Sequence, residues 1–225
     1  ATGWTMPNGT ANCRTSAFCP QARQMNRPNF DKQMQETLQI IPQGTPLLLH
    51  SCCGPCSTRC IEELKQTFSV TVLYYNPNIY PRGEYEKRKS EQLRFLRETG
   101  WADFLDCDYA AEDFQDAVQG LEGEPEGGLR CRACFALRLG VLARTAKERG
   151  FPWVCSTLSV SPHKNAAWLN EIGQAQAEKY GVRWLPNDFK KRSGYLRSIR
   201  LAAEHELYRQ EYCGCEFSLD SRKIF

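Results

Sequence analysis

The chain has 225 residues, 41% of them hydrophobic and 24% charged, and a formal net charge of +3. That balance fits a globular chain with one buried core and excludes a disordered or fibrous one. No apolar run approaches the roughly 18 residues of a membrane span, and so small a charge names no partner by itself.

Residues 1–30 mix Gly, Pro, Asn, Thr and Ser without periodicity and read as a flexible leader holding two unpaired thiols, Cys13 and Cys19. The leader lacks the basic-then-apolar order of a secretory signal, so the expected location is cytoplasmic. Residues 31–225 read as a single α/β domain. A helix over Asp31–Leu38 leads to the apolar run Pro46–His50, a buried strand. Next come a helix at 57–66, a strand at Val70–Tyr75, a helix at Glu84–Glu98 and a strand at Asp103–Cys107. A helix at Ala110–Leu121, a Gly- and Glu-rich loop at Glu122–Gly128 and a long helix at 131–149 follow. Strands at Pro152–Leu158 and Val182–Leu185 flank a helix at Asn165–Tyr180, and Tyr195–Tyr212 forms a last, C-terminal helical segment. Such alternation predicts a mostly parallel sheet with helices on both faces, Rossmann-like and resembling the HUP (adenine-nucleotide alpha-hydrolase) type. Ligands of such sheets gather where strands end. Cys52–Cys56, Asp106–Asp108 and Ser159–Lys164 all fall at such points.

Twelve cysteines are many for a chain without an evident secretory signal, and clustering at 52–56, 131–134 and 213–215 points to metal or redox work. Cys52-Cys53-Gly54-Pro55-Cys56 sits where the first strand turns into a helix, whose free N–H groups stabilise thiolates. Cys131 and Cys134 open another helix, and their three-residue spacing puts both sulfurs on one face. Thiolates from these two points could close around a zinc ion or an iron–sulfur cluster. Neighbouring Cys52 and Cys53 are awkward ligands for one tetrahedral ion. The compact ferredoxin run is absent, as is the Cys-x3-Cys-x2-Cys spacing of radical S-adenosylmethionine enzymes.

Cys213-Gly214-Cys215 differs in kind: a bridge between residues two apart closes a small strained ring and is easily reduced, which suits electron relay. Two further metal ligands or two plain thiols are the other readings. Cys60, Cys107 and Cys155 read as core residues. Lys190, Lys191, Arg192, Arg197 and Arg200 lie close together with Tyr195 among them, a pattern that suits phosphates and unpaired bases. Ser161-Pro162-His163-Lys164 could present a proton donor or a phosphate contact.

Together these motifs resemble the QueH-type epoxyqueuosine reductases. The residues that carry the likeness are His50-x-Cys-Cys-Gly-Pro-Cys56, Glu124-Pro-Glu-Gly-Gly128 with Arg130-Cys-x-x-Cys134-Phe135, and Thr157-Leu-Ser-x-Ser-Pro162 with Lys164-Asn165. Asp188-Phe-Lys-Lys191 and Leu207-Tyr-Arg-Gln-x-Tyr-Cys-Gly-Cys215 complete it, over residues 28–219. The resemblance implies reduction of an epoxide to an alkene on a modified wobble guanine, without cobalamin, in tRNA with a GUN anticodon. It implies a [4Fe-4S] cluster on Cys52, Cys53, Cys131 and Cys134, and a redox-active disulfide between Cys213 and Cys215. An additional iron beside the cluster is also implied, for which Cys56 and Asp108 are candidate ligands, with Lys164 a candidate catalytic residue. Lys190, Lys191, Arg192, Arg197 and Arg200 would meet the RNA, and an electron donor that the motifs do not identify would complete the cycle. Two other readings remain: a zinc-stabilised RNA-binding module, and an iron–sulfur tRNA thiolase. The latter carries a Ser-Gly-Gly-x-Asp-Ser phosphate loop where this chain has Ser51-Cys-Cys-Gly-Pro-Cys56.

Overall fold

The computed structural model describes residues 28–220, so the leader with Cys13 and Cys19 lies outside the described residues. Five strands, β1 (Thr45–His50), β2 (Phe68–Tyr74), β3 (Asp103–Asp106), β4 (Trp153–Ser156) and β5 (Arg183–Trp184), form one sheet in the order β3-β2-β1-β4-β5. Every neighbouring pair is parallel, as the alternation of strand and helix predicts. Among the described residues eight α-helices accompany them: α1 (Phe30–Ile40), α2 (Gly54–Leu64), α3 (Arg82–Thr99), α4 (Ala111–Val118), α5 (Leu129–Arg149), α6 (Ala166–Tyr180), α7 (Gly194–Glu204) and α8 (Glu216–Asp220).

The two-residue period of β1 explains the two cores. Leu47 and Leu49 pack with Ile61 and Leu64 of α2 and Phe95 of α3, whereas Leu48 packs with Leu139 and Leu142 of α5 and Leu169 of α6. All three leucines of β1 are fully buried. A strand covered on both faces reads as a continuous apolar run, which is what Pro46–Leu49 shows.

Three expectations need correction. Helix α2 begins at Gly54, three residues before the expected start, because Pro55 suits a first turn; this places Cys56 inside the helix. Strand β4 ends at Ser156, and Thr157–Val160 form a 3₁₀ turn started by the Ser156 hydroxyl, which accepts from the Leu158 N–H. The last long helix stops at Glu204 rather than Tyr212. Past it, α3 takes over the chain: Arg94 donates to the carbonyls of His205 and Glu206 at 3.0 Å each, and Glu91 accepts from the Tyr208 N–H at 2.7 Å. Those long-range bonds replace helical ones.

Candidate active site

Chain order reverses at β1: its successor β2 lies on one side and β4 on the other, so the crevice between β1 and β4 is the switch point where such sheets bind ligands. The first residues past these strands meet there, with Cys52 Sγ 3.9 Å from Thr157 Oγ1. Cys53 is the N-cap of α2, but its side chain makes no capping bond. The sulfurs of Cys52, Cys53 and Cys56 all lie within 4.8 Å of one another, the one such ligand group among the described residues. Hydrogen bonds from Cys53 and then Cys56 hold the Cys52 thiol well below its usual range, with help from the charges of Arg138 and Lys164. Burial and the neighbouring Cys52 push Cys53 up to about 12. Of the three, Cys52 therefore loses its proton most readily.

A second group of sulfurs comes from α5 and the C-terminal segment. Cys131 accepts a hydrogen bond from the Gly127 N–H at 3.2 Å, and one turn of α5 carries Cys134 and then Arg138. Arg138 is 2% exposed. It donates to Asn76 Oδ1 at 2.5 Å and reaches His50 Nε2 at 3.3 Å, with Cys134 Sγ at 3.9 Å. Lys164, set just before the Asn165 cap of α6, donates to Cys213 Sγ at 3.3 Å. Although burial opposes both charges, the Cys213 and Cys52 sulfurs hold Lys164 above its usual value, and Cys134, Cys52 and Cys213 do the same for Arg138. Neither cation pairs with a carboxylate among the described residues; sulfur is their counter-charge. Cys215, and after it Lys164 and Arg138, hold Cys213 well below the usual thiol range, whereas Cys215 is raised by Cys213 beside it. Cys213 and Cys215 are both free thiols. His50 is kept neutral, its value lowered to about 3 by burial and by Arg138.

Two cavities meet at this pair of cations. One, of about 810 Å³, is bordered by Cys52, Cys56, Arg138, Lys164, Cys213 and Tyr195. The other, of about 210 Å³, borders Cys131, Cys134, Cys213 and Cys215, and shares Arg138 and Lys164. The surroundings fit a thiophilic, anionic group. Gln210 Nε2 donates to Cys53 Sγ at 3.0 Å.

Other expected residues lie elsewhere. Asp108 is exposed in the loop after β3 and borders neither cavity. Of the basic stretch, Lys190 pairs with Asp188 at 2.8 Å, Arg192 with Asp31 and Glu63, and Arg197 with Glu62 at 2.7 Å and Glu204 at 3.0 Å. Lys191 and Arg200 are exposed. Much of that charge thus braces α7 against α1 and α2. Cys60 and Cys155 are buried in the core, as expected, while Cys107 is half-buried at its edge. Sequence reasoning missed Arg138, although its position four residues after Cys134 puts it on the same helical face. It also missed the contact of Gln210 with Cys53: Gln210 stands in the Leu207–Cys215 motif, but its partner lies 157 residues away.

The site is thus that of a parallel α/β protein with cysteines that could hold a metal at its switch point, where a phosphate-loop enzyme would carry its glycine-rich loop. The family model described as epoxyqueuosine reductase QueH matches residues 47–221, and the chain belongs to that family. It is 41% identical over 204 residues to an epoxyqueuosine reductase QueH of Streptococcus pyogenes serotype M1, covering 87% of this chain and 80% of the relative. It is 39% identical over 200 residues to one from Staphylococcus epidermidis, covering 84% of each. With one from Thermotoga maritima it shares 34% over 180 residues, 79% of this chain and 92% of the relative.

Proposed function

We propose that the chain is an oxidoreductase that converts epoxyqueuosine to queuosine at the wobble position of tRNA, without cobalamin. The observation that carries this reading is the meeting of Cys52, Cys53 and Cys56 with Cys213 across Arg138 and Lys164, at the switch point of the sheet. The ligands of a [4Fe-4S] cluster would be Cys52, Cys53, Cys131 and Cys134. Cys56 is the remaining thiol for an additional iron; exposed Asp108 is left out of that set. Bound there, the cluster supplies electrons singly and the iron a Lewis-acid contact for the epoxide oxygen.

The chain's own residues do the rest. An unpaired wobble base can be splayed into the 810 Å³ cavity, where Tyr195 and Tyr212 offer faces for stacking and Arg209 a cation at the rim. Lys164 Nζ, kept protonated between two sulfurs, holds the proton that the departing oxygen needs. Two thiols, Cys213 and Cys215, return the two electrons. In sum, epoxide plus two thiols gives alkene, disulfide and water. A separate electron donor then reduces the bridge. No helix among the described residues is long and apolar enough to cross a membrane, and a tRNA substrate places the work in the cytoplasm.

The test is direct. Protein isolated without oxygen is incubated with tRNA carrying epoxyqueuosine and a thiol reductant, and the digested nucleosides are read by mass spectrometry. Appearance of queuosine is expected. Its absence with iron-loaded, folded protein refutes the assignment.

A further inference from the structure

We propose that Arg88 is the positioning residue of the Cys213–Cys215 pair, holding the loop so that the two sulfurs stay within bonding reach. The inference rests on reading that pair as exchanging thiols. Arg88 lies in α3, is 1% exposed, and is among the largest fully buried side chains. Its Nε donates to Glu84 at 2.6 Å, Nη1 to the Cys213 carbonyl at 3.2 Å and Nη2 to the Tyr212 carbonyl at 3.5 Å. The Tyr212 ring sits against the guanidinium at 4.9 Å. The next carbonyl, of Gly214, accepts from the Tyr80 N–H at 2.8 Å, and the Tyr212 hydroxyl donates to the Tyr80 carbonyl at 2.8 Å. Three successive carbonyls of the redox loop are thus claimed by residues 80–88.

Gly214 shows that the clamp shapes the loop. Its φ of +123° is one that side-chain-bearing residues rarely adopt. A Cβ built there would stand 2.9 Å from Arg88 Nη1 and 3.2 Å from Ile79 Cγ1. Any side chain there would press on the guanidinium and strain the backbone. A purely structural ion pair with Glu84 would need none of this. The fork's two outer nitrogens instead hold the carbonyls on either side of the Cys213 Cα, a geometry that a point charge such as an ammonium cannot reproduce. Holding two reacting groups in place raises the effective concentration of one for the other. Arg88 therefore favours the disulfide over two separate thiols.

The reaction that reads this is exchange with dithiothreitol: the protein dithiol and oxidised dithiothreitol give the protein disulfide and two dithiothreitol thiols. The equilibrium constant is measured in oxygen-free redox buffers by differential alkylation and mass spectrometry, with circular dichroism to check folding. Arg88→Lys should lower the constant for bridge formation about tenfold or more, which is about 30 mV for this two-electron couple. Gly214→Ala attacks the same contact from the loop side and should shift it the same way. If Arg88→Lys fails to fold, Gly214→Ala decides alone. Values within about threefold of the parent overturn the role of Arg88 and leave the redox role of the pair standing. A parent protein that forms no reversible Cys213–Cys215 bridge overturns both.

Discussion

Sulfur and cation alternate through the site. Arg138 and Lys164 are surrounded by Cys52, Cys134 and Cys213, so each stabilises thiolates on both sides of the crevice. The division of labour among the cysteines gives a prediction: Cys213→Ser should keep bound iron and sulfide but lose turnover driven by a thiol reductant, checked by metal analysis beside the nucleoside assay. Loss of iron in that variant would mean that Cys213 is a ligand and not an electron relay. Residue chemistry of this kind is partly legible in the sequence. The cysteine spacings and the four-residue step to Arg138 are local, and a helical wheel finds them. Gln210 meets Cys53 across 157 residues and Arg88 meets Cys213 across 125, and no local pattern encodes such contacts.

At the scale of elements, α3 is a scaffold for the segment from His205 to Cys213. Glu91 and Arg94 pin residues 205–208, and Arg88 pins Tyr212 and Cys213. Arg94, then the Tyr208 N–H, hold the Glu91 carboxyl below its usual value of 4.5. A depressed carboxyl contributes stability that is present above the unfolded value and lost as pH falls through the folded one. Glu91→Gln should therefore cost about 1 kcal/mol at pH 7. That cost should shrink as pH drops below about 4.5, followed by denaturant melts at several pH values. A pH-independent difference would mean that the charge of Glu91 plays no part. The same contacts explain why the apolar spacing over 195–212 misleads. Helical periodicity is real to Glu204, but beyond it the backbone groups find partners on α3 instead of four residues back.

For the molecule as a whole, alternating elements and one continuous apolar strand make the parallel sheet readable from sequence, while strand order is set by packing that only the structure displays. That order puts the reversal beside β1 and so gives the turn after it, Ser51–Cys56, the ligand-binding place. The basic stretch shows the opposite limit. Composition alone offers it to RNA, yet Asp31, Glu62 and Glu63 from α1 and α2 occupy two of its arginines. Function then hangs on whether sulfurs from β1–α2 and from α5 hold one metal centre between them. Iron and acid-labile sulfide, measured together in protein isolated without oxygen, test this most directly. Matching iron and sulfide should be present, and Cys52→Ser and Cys131→Ser should each lose them while remaining folded. Zinc without sulfide, or a Cys131→Ser protein with its full iron and sulfide, would contradict the shared centre.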